Sequence, residues 1–379
     1  MNKLLFITNI ANNIGSFSIA SITAAHDANL EFQMAAYWNL TRENMNELQN
    51  DFDVKLHHID LVRSPYSFRN YKALKQLVKI IRDEKIDCIH CNTPVGGILG
   101  RFAGKKCKVK KVIYQAHGFH FYKGAPKKNW LLYYPVEKWL AHYTDALITI
   151  NQEDYELAKS KLKLRNAGKV YYVPGVGIDT SQYNIKAKSR DDKRIELNIP
   201  LNAFVIISVG ELNSNKNNSV IISALKQLKR NDIHYVMCGV GELETELRRQ
   251  ADNAGLHDNV HFLGYRNDVK ELYEIADCFV MPSLREGLSR SIMEAMASGL
   301  PCVVSRIRGN VDLVDEGKGG FLCHPKSTEE FATAIENIAA NIVMRNSMGE
   351  YNKGKIKAFD VLDVVEKLKS IYAEIREKK

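Results

Sequence analysis

Residues 277–310 read DCFVMPSLREGLSRSIMEAMASGLPCVVSRIRGN, and this stretch predicts a strand, a loop, a helix and a second strand in that order. Short apolar runs at 278–281 and 302–304 have the length and composition of buried strands. Ser289 stands where a helix N-cap is expected, and Gly299 suits the left-handed position that follows a helix. The sequence therefore places a loop between a buried strand and the start of a helix.

Two carboxylates flank the predicted helix start. Glu286 lies in the loop, and Glu294 lies eight residues later, inside the helix. The first turn of a helix points unpaired N–H groups outward, so an anion is stabilised there. Carboxylates that hold hydroxyl groups on either side of an anion site fit a phosphorylated sugar or a nucleotide sugar.

The composition predicts a soluble protein with two domains. The chain has 379 residues, of which 45% are hydrophobic and 26% charged, as is typical of globular proteins. No apolar run reaches the ~18 residues that cross a bilayer, and MNKLLFITNI is expected to be a first strand without a signal-peptide cleavage site. Seven scattered cysteines predict reduced, buried thiols and a cytoplasmic location.

The positive charge is concentrated in the first half of the chain. The formal net charge is +9, and residues 1–178 hold 25 Lys and Arg against 15 Asp and Glu. Residues 101–150 alone carry ten basic and two acidic residues. Such a patch could bind nucleic acid, an anionic membrane surface or an anionic acceptor, or it could be a solvated lysine-rich surface.

Strands alternate with helices along both halves of the sequence. This pattern predicts an α/β fold with a parallel, doubly wound sheet in each half. A turn-rich segment at 172–200 marks the crossing, so the expected domains are residues 1–175 and 179–360. An amphipathic helix over residues 361–379 is expected to pack back on the first domain. The expected strands also include residues 4–8, 86–90, 111–115, 145–150, 204–209, 235–238 and 259–263.

Ligands of open α/β sheets bind at the carboxyl ends of the strands, so the loops in those positions form the candidate site. Loops from both halves are expected to face each other across one cleft. The first half contributes residues 12–16, 92–97 and 117–120, and the second half contributes residues 210–216, 239–242, 264–268 and 286–290.

Two basic residues in these loops have the chemistry of an anion and sugar site. Lys216, in an asparagine-rich turn, can neutralise a diphosphate. His117, in a glycine-flanked loop, can hydrogen-bond a sugar hydroxyl or carry a proton. Taken singly, each also fits an ordinary surface lysine or a structural histidine. Gly239 and Gly241 form only half of a dinucleotide-binding fingerprint and predict a close-approach turn.

Two patterns resemble metal sites, but neither supports one. Cys88, His90 and Cys91 lie in an expected strand, where alternate side chains point to opposite faces, and no second ligand pair follows. Asp51 and Asp53 resemble the Asp-x-Asp of metal-dependent sugar transferases, but they precede a strand instead of following one. We therefore expect neither a metal nor a cofactor.

Residues 127–143, KKNWLLYYPVEKWLAHY, combine lysines, tryptophans, tyrosines and aliphatic side chains. Tryptophan and tyrosine favour membrane–water interfaces, and lysine favours anionic lipids. Pro135 is expected to interrupt the helix. The segment is therefore either part of a membrane-facing surface over residues 101–143 or a buried aromatic helix of the first domain.

Four motifs in order resemble the retaining GT-B glycosyltransferases of family four. The pair Glu286 and Glu294 resembles the E-x7-E signature of that family, and SVGELNSNKNN, the GVGE turn and the AHG histidine fall at its spacings. The segment AHGFHFYKGAPKKNWLLYYPVEKWLAHYTDALITINQED, with YRNDV and RIRGN, is especially similar to bacterial members that build capsular polysaccharide and exopolysaccharide. The resemblance covers almost the whole chain and implies the GT-B architecture, in which two Rossmann-like domains face each other across a cleft.

The resemblance implies a role for each candidate residue. Glu294 would hold the ribose hydroxyls, and Glu286 would contact the hydroxyls of the donor sugar. Lys216 and the amides after Gly287 would hold the diphosphate, and His117 would contact the donor sugar near its 6-hydroxyl. The other expected substrate-binding residues are Gly15, Gly241, Asn267, Leu288, Ser289 and Arg290.

The resemblance also implies a metal-independent reaction that retains the anomeric configuration. The leaving phosphate itself would take the acceptor proton, which fits a sequence with no obvious separate catalytic base. Glu211 stands where similar proteins often have an arginine, so Arg285 and Arg290 are the candidates for the second positive charge on the diphosphate. The first-domain loop has a single glycine, Gly15, where many members have two. The resemblance therefore does not assign which residues of this loop contact the acceptor.

The predicted function is transfer of a sugar from a nucleotide-diphospho-sugar, expected to be a UDP-sugar, to a lipid-linked saccharide in surface polysaccharide biosynthesis. The enzyme would lie at the inner face of the cell membrane and would not bind nucleic acid. One alternative is an epimerase of nucleotide sugars, which shares the fold but lacks this Glu-x7-Glu arrangement. The other is a polyanion-binding protein that uses the basic residues 101–150.

Overall fold

The structure is a computed structural model, and it describes residues 3–183 and 190–377. The chain divides into two compact units. One comprises the chain up to Gly177 together with the segment from Val361, and the other comprises Ile178–Asp360. Each unit contains one parallel β-sheet, so the predicted doubly wound α/β fold is confirmed in both halves.

The first unit is built on a sheet of seven strands. These are β1 (Lys3–Ala11), β2 (Glu31–Trp38), β3 (Lys55–His58), β4 (Cys88–Asn92), β5 (Lys111–Ala116), β6 (Ala146–Thr149) and β7 (Lys169–Tyr172). The helices between them are α1 (Ser16–Asp27), α2 (Arg42–Phe52), α3 (Arg69–Asp83), α4 (Pro94–Cys107), α5 (Lys127–Ala141) and α6 (Gln152–Lys161). The strand order is β3-β2-β1-β4-β5-β6-β7, and the direction of winding reverses between β1 and β4.

Alternating side chains of β1 explain how both faces of this sheet are covered. Leu4 and Phe6 belong to the apolar cluster that includes α1. Leu5 and Ile7 belong to the cluster that includes α3 and α4. Because successive strand residues face opposite sides, a strand covered on both faces needs a continuous apolar run, and β1 provides one.

The second unit is built on a sheet of six strands. These are β8 (Phe204–Val209), β9 (Ile233–Cys238), β10 (Val260–Phe262), β11 (Cys278–Met281), β12 (Cys302–Ser305) and β13 (Gly320–Cys323). Its helices are α7 (Arg190–Glu196), α8 (Ser219–Leu228), α9 (Glu244–Asn253), α10 (Val269–Ile275), α11 (Arg290–Ala297), α12 (Asn310–Leu313), α13 (Thr328–Ala340) and α14 (Ile342–Ile356). The strand order is β10-β9-β8-β11-β12-β13, so the winding reverses between β8 and β11, where doubly wound sheets bind ligands.

The last helix, α15 (Val361–Glu377), belongs to the first unit and packs against α1. Its buried face includes Leu368 and Tyr372, which lie in the same apolar cluster as the strand residues Leu4 and Phe6. The hydroxyl of Tyr372 lies 2.7 Å from Nδ1 of His90, inside the unit. This polar contact explains why a histidine is tolerated in a buried strand.

One prediction about a helix was wrong. Pro135 does not interrupt its helix, because α5 runs through it. A proline removes the bond to the carbonyl four residues earlier, and Leu131 at that position is 76% exposed, so water can satisfy the carbonyl. The polar run at 186–194 has no apolar period, yet its described part enters α7, where the buried Arg194 bonds backbone carbonyls. Residues 186–189 of that run lie outside the described residues.

Most expected strands differ from the observed ones only at their ends. The strand expected at 86–90 lies two residues later, at β4, because Ile86 packs in the core ahead of the strand. The strands expected at 4–8, 235–238 and 302–304 each extend further in the structure. The seven cysteines are free thiols, and six of them are buried, as the sequence predicts.

Candidate functional site

Loops at the carboxyl ends of β8 and β11 hold the main group of candidate residues in the second unit. They enclose a small pocket at the point where the winding of the sheet reverses. The pocket is lined by Ser208, Gly210, Lys216, Asn218, Met281 and Pro282.

Asparagines of the loop after β8 fasten it to its neighbours. The side-chain amide of Asn215 donates to the carbonyl of Arg285 at 2.9 Å. Asn217 has a φ of 56°, and its side-chain amide donates to the carbonyls of two prolines. Asparagine tolerates the left-handed conformation and its amide has two N–H donors, so it suits this position. The run NSNKNN therefore fixes the backbone on both sides of Lys216.

Lys216 and Glu286 meet across these two loops. Nζ of Lys216 lies 2.8 Å from Oε1 of Glu286, and the two side chains are 21% and 15% exposed. An ammonium has three donors and a carboxylate has about four acceptor positions, so one bond exhausts neither group. The pair can therefore meet a phosphate on the lysine side and hydroxyl groups on the carboxylate side.

Glu294 lies in α11 and is held by three neighbours. Its Oε1 atom accepts from Nε of Arg290 at 2.8 Å, and its Oε2 atom accepts from the hydroxyl of Tyr273 at 3.1 Å. Burial, and then the nearby Glu294 carboxylate, raise the pKa of Tyr273 well above its usual value and also raise the pKa of Tyr183. Both phenols therefore stay protonated and can donate to the carboxylate.

The start of α11 has the cap that the sequence predicts. The hydroxyl of Ser289 accepts from the N–H of Ile292 at 3.4 Å. Gly299, after the end of the helix, has a φ of 78°, which confirms its predicted left-handed conformation. Gly287 and Leu288 are partly exposed just before the cap. The backbone amides of this turn can therefore meet an anion at the helix N-terminus.

The loops after β8 and β9 pack against each other through glycine. An ideal Cβ on Gly241 would lie 2.2 Å from the carbonyl oxygen of Leu212, and one on Gly239 would lie 1.9 Å from that of Gly210. The close approach predicted for Gly241 is therefore an approach to the neighbouring loop. Asn267 lies in the exposed loop between β10 and α10.

His117 and Gly15 lie at the carboxyl edge of the sheet in the first unit. His117 follows β5, and its Nε2 atom lies 3.1 Å from Oδ1 of the fully buried Asn92 at the end of β4. Burial lowers the pKa of His117 to about 4, so its imidazole is neutral at neutral pH. Gly15 is exposed at the N-terminus of α1 with an extended backbone, and a Cβ there would meet no atom within 4 Å.

Sequence reasoning missed four residues around these candidates. Tyr183 and Tyr273 support Glu294, Asn92 bonds His117, and Arg308 contacts the Glu286 loop, where its Nε atom lies 3.4 Å from the Glu286 carbonyl. Two of them had a sequence signal, because Arg308 lies in the RIRGN motif after the second expected strand and Asn92 begins the expected strand-end loop at 92–97. Tyr183 and Tyr273 act through long-range contacts that no local pattern reports.

The exposed part of α5 includes large apolar side chains. Leu131, Leu132 and Trp139 are 76%, 56% and 46% exposed. Trp130 instead packs at ring distances of 5.5 Å from Phe121 and 5.7 Å from Tyr134. The segment therefore has one side that packs in the core and another with exposed apolar side chains.

Within residues 3–183 and 190–377, no group of three His, Cys, Asp or Glu side chains is placed to hold a metal ion. Over the same ranges, no helix has both the length and the apolar composition that crossing a membrane requires.

Comparison with known proteins finds relatives that align with most of the chain. Residues 189–355 match the family described as glycosyl transferases group 1, and residues 32–151 match the glycosyl transferase 4-like family. EpsD of Bacillus subtilis is 36% identical over 320 residues, which are 83% of this chain and 84% of EpsD. An Escherichia coli enzyme, the UDP-Gal:alpha-D-GlcNAc-diphosphoundecaprenol alpha-1,3-galactosyltransferase, is 32% identical over 83% of this chain and 82% of its own.

A solved structure shares the fold of the whole chain. Anabaena HepE, in complex with UDP and glucose, aligns with a TM-score of 0.80 over 99% of this chain and 100% of its own, at 20% identity. This likeness confirms the predicted GT-B fold. The two family matches, together with relatives above 30% identity that align over most of their length, show that this chain is an enzyme of the group 1 glycosyltransferase family.

Proposed function

We propose that this protein is a retaining glycosyltransferase that moves a sugar from a UDP-sugar to a lipid-linked saccharide in surface polysaccharide biosynthesis. The observation that carries the proposal is the contact of Lys216 with Glu286 beside the N-terminus of α11. A cation, a carboxylate and a turn of backbone amides at the carboxyl edge of a parallel sheet fit a diphosphate joined to a sugar.

Each group near the α11 N-terminus has a part in the reaction. Lys216 and the amides from Gly287 to Arg290 stabilise the charge that develops on the departing diphosphate. Glu286 accepts hydrogen bonds from the donor sugar, and Glu294 accepts them from the ribose. The bond between the anomeric carbon and the phosphate oxygen breaks. The acceptor oxygen bonds to the same face of that carbon, and its proton passes to the leaving phosphate, so no metal or separate base is required.

His117 contributes as a neutral hydrogen-bonding group. With a pKa of about 4 it is uncharged at neutral pH, so it suits contact with a sugar hydroxyl near the 6-position better than acid catalysis. Its bond to Asn92 fixes the orientation of the ring. Gly15, at the same edge of the sheet, leaves space for the acceptor.

The names of similar proteins support the choice of substrates. The Escherichia coli relative is named for a UDP-sugar donor and an acceptor linked to diphosphoundecaprenol. HepE was solved with UDP and glucose, and a Staphylococcus aureus relative, 24% identical, is named as a capsular polysaccharide biosynthesis glycosyltransferase. A UDP-sugar and a lipid-linked saccharide are therefore the substrates to test first.

A lipid-linked acceptor fits a peripheral membrane location, in which the surface formed by residues 101–143 contacts the bilayer. The exposed apolar side chains of α5, with Lys127 and Lys128 at its start, can enter the interface of an anionic bilayer. The protein would then work at the inner face of the cell membrane.

Acceptor-dependent release of nucleotide tests the function. Purified protein is incubated with a panel of nucleotide sugars, with and without lipid extracts that contain diphosphate-linked saccharides, and free UDP and product are measured. Sugar transfer with UDP released only when acceptor is present supports the proposal, and NMR of the product reports its anomeric configuration. Conversion of a nucleotide sugar without acceptor would instead indicate an epimerase.

A further inference from the structure

The segment between β3 and α3 exposes a group of large aromatic side chains. Tyr66, Phe68 and Tyr71 are 88%, 95% and 63% exposed. Within the described ranges, no other large hydrophobic side chain is as exposed as Tyr66 and Phe68. Single exposed apolar side chains are common on protein surfaces, whereas a group of them marks an interaction surface.

The loop that presents these side chains is fixed by α3. The side chain of Asn70, which is 6% exposed, donates to the carbonyl of Ser64 at 2.7 Å and accepts from the N–H of Val62 at 3.0 Å. The side chain of Gln76 accepts from the N–H of Asp60 at 2.8 Å. The exposed aromatic side chains therefore stand on a backbone that hydrogen bonds hold in place.

The fold does not explain the side chain of Phe68. This residue is the N-cap of α3, where serine, threonine, aspartate or asparagine is preferred, and its side chain makes no capping hydrogen bond. Contact between a phenyl ring and water is unfavourable, so a partner that covers the ring gains binding free energy. Phe68 therefore indicates a partner with an apolar region.

The residues around these aromatic side chains are strongly basic. Residues 61–82 contain six Lys and Arg and no Asp or Glu. Asp60 and Asp83, at the two ends of this segment, pair with Lys72 and Lys79. Two carboxylates cannot balance six cations, so a partner with negative charge is favoured. All six basic residues are exposed, and they are Arg63, Arg69, Lys72, Lys75, Lys79 and Arg82.

The exposed apolar part of α5 lies at the same edge and on the same face of the first sheet. All seven strands are parallel, so α3 and α5 both begin at the carboxyl edge. Leu77 of α3 and Ala141 of α5 belong to one apolar cluster with Leu5 and Ile7 of β1, so both helices pack on one face. The aromatic side chains at the start of α3 therefore share an edge with Leu131 near the start of α5.

We propose that residues 63–75 form a second membrane-contact surface, in which Tyr66 and Phe68 enter the interface of an anionic bilayer and the surrounding cations bind lipid headgroups. Aromatic side chains favour the membrane–water interface, and lysine and arginine are attracted to anionic lipids. A saccharide is the less favoured partner, because side chains exposed to this extent do not form a pocket.

The proposal rests on the proposed membrane location of the enzyme and adds a contact outside residues 101–143. Two contacts at one edge of the sheet also fix an orientation. They turn the carboxyl edge of the first sheet, where Gly15 and His117 lie, towards the lipid headgroups. A lipid-linked acceptor would then reach this edge without leaving the bilayer.

Co-sedimentation of the protein with vesicles of phosphatidylglycerol and phosphatidylcholine tests the surface. The double variant Tyr66→Ser/Phe68→Ser removes both aromatic side chains, and we expect its partition into the vesicles to fall about tenfold or more. The matched control is Ile342→Ser/Val343→Ser, which removes two exposed apolar side chains of α14 in the second unit. Its partition should equal that of the wild type.

Two further measurements separate the charge from the aromatic contact. Arg63→Gln/Lys75→Gln should weaken binding to vesicles that contain phosphatidylglycerol about tenfold and leave binding to pure phosphatidylcholine unchanged. In Phe68→Trp, the new tryptophan should report its own insertion. We expect its emission to shift to shorter wavelength and to be quenched by brominated lipids, beyond the change that the wild-type tryptophans show.

Unchanged partition of Tyr66→Ser/Phe68→Ser, or no added quenching in Phe68→Trp, would overturn the proposal. Normal vesicle binding with a weakened apparent affinity for the acceptor would overturn it too, and would assign the aromatic side chains to the saccharide. Wild-type protein that binds no vesicle would remove the membrane location as well, whereas acceptor-dependent sugar transfer tests the glycosyltransferase function separately. If a serine variant has a lowered melting temperature, the quenching measurement decides.

Discussion

Nζ of Lys216 and Oε1 of Glu286 lie 2.8 Å apart, so an ion pair joins the loops after β8 and β11 where the winding of the second sheet reverses. Neither side chain is deeply buried, and the Asn215 amide also joins the two loops by donating to the carbonyl of Arg285. The pair is therefore partly accessible from solvent at the carboxyl edge of the sheet.

We expect Lys216→Ala and Glu286→Ala each to lower the rate of sugar transfer about 100-fold or more, because each removes a group that stabilises charge or positions the sugar. Initial rates with saturating donor measure the effect, and circular dichroism checks the fold. Lys226→Ala, which removes an exposed lysine of α8, is the control. Full activity in either site variant would contradict the assignment.

Tyr273→Phe should weaken UDP binding about tenfold while leaving the rate at saturating donor nearly unchanged, because it removes one hydrogen bond to the Glu294 carboxylate. Phenylalanine preserves the packing of the ring. Tyr351→Phe removes a similar bond to Asp315 on another part of the unit and is the control. If Tyr273→Phe binds UDP as well as the wild type does, Glu294 does not depend on this support.

The first unit should lose stability as the pH falls below about 6.5. Burial lowers the pKa of His117 to about 4 and that of His90 to about 3, so the unfolded chain takes up protons before the folded protein does. The stability is complete above the unfolded pKa of 6.5 and is lost as the pH falls toward 4. Melting temperatures between pH 7.5 and 4 measure it, and His117→Gln should flatten the dependence.

His257 provides the opposite control for the pH series. Its bond to Asp252 raises its pKa, so its contribution is present at low pH and is lost as the pH rises. Replacing His257 by Gln should therefore leave the acid-induced loss in place. A slope that stays unchanged in His117→Gln would mean that this histidine titrates normally in the folded protein.

Replacing Leu131 and Leu132 by serine should reduce binding to anionic liposomes without changing UDP affinity, because both side chains are exposed on α5. Co-sedimentation with vesicles that contain phosphatidylglycerol measures the partition. Trp130→Phe is the matched control, since Trp130 packs against Phe121 and Tyr134. Unchanged sedimentation of the double variant would remove this surface from the membrane proposal.

Local sequence rules predicted the elements that depend on local chemistry. The cap at Ser289 and the left-handed Gly299 follow from short-range backbone geometry, and the buried strands follow from their apolar runs. The same rules failed where long-range contacts decide. The buried Arg194 supports α7 by donating two hydrogen bonds to the carbonyl of Ile275, 81 positions along the chain, and the polar run around it gave no signal of this.

The candidate site was predicted in part for the same reason. Lys216, Glu286 and Glu294 could be found because each stands in a recognisable turn or helix start. Tyr273 could not, because its contact is with a residue that is distant in the sequence. Asn92 lies in a loop that the sequence named, but its bond to His117 could not be foreseen. Arg308 lies in the RIRGN motif, but its burial against the Glu286 loop depends on the close approach of the two loops that Gly309 allows.

The position of α15 delays completion of the first unit during synthesis of the chain. The ribosome synthesises the first sheet early, yet the helix that covers its Leu4 and Phe6 side emerges only after the whole second unit. The second unit, in contrast, is one continuous segment and can complete its core during synthesis. Until residues 361–377 leave the ribosome, the apolar surface of α1 lacks its native cover, and this interval is when a nascent chain is most exposed to aggregation or to chaperone capture.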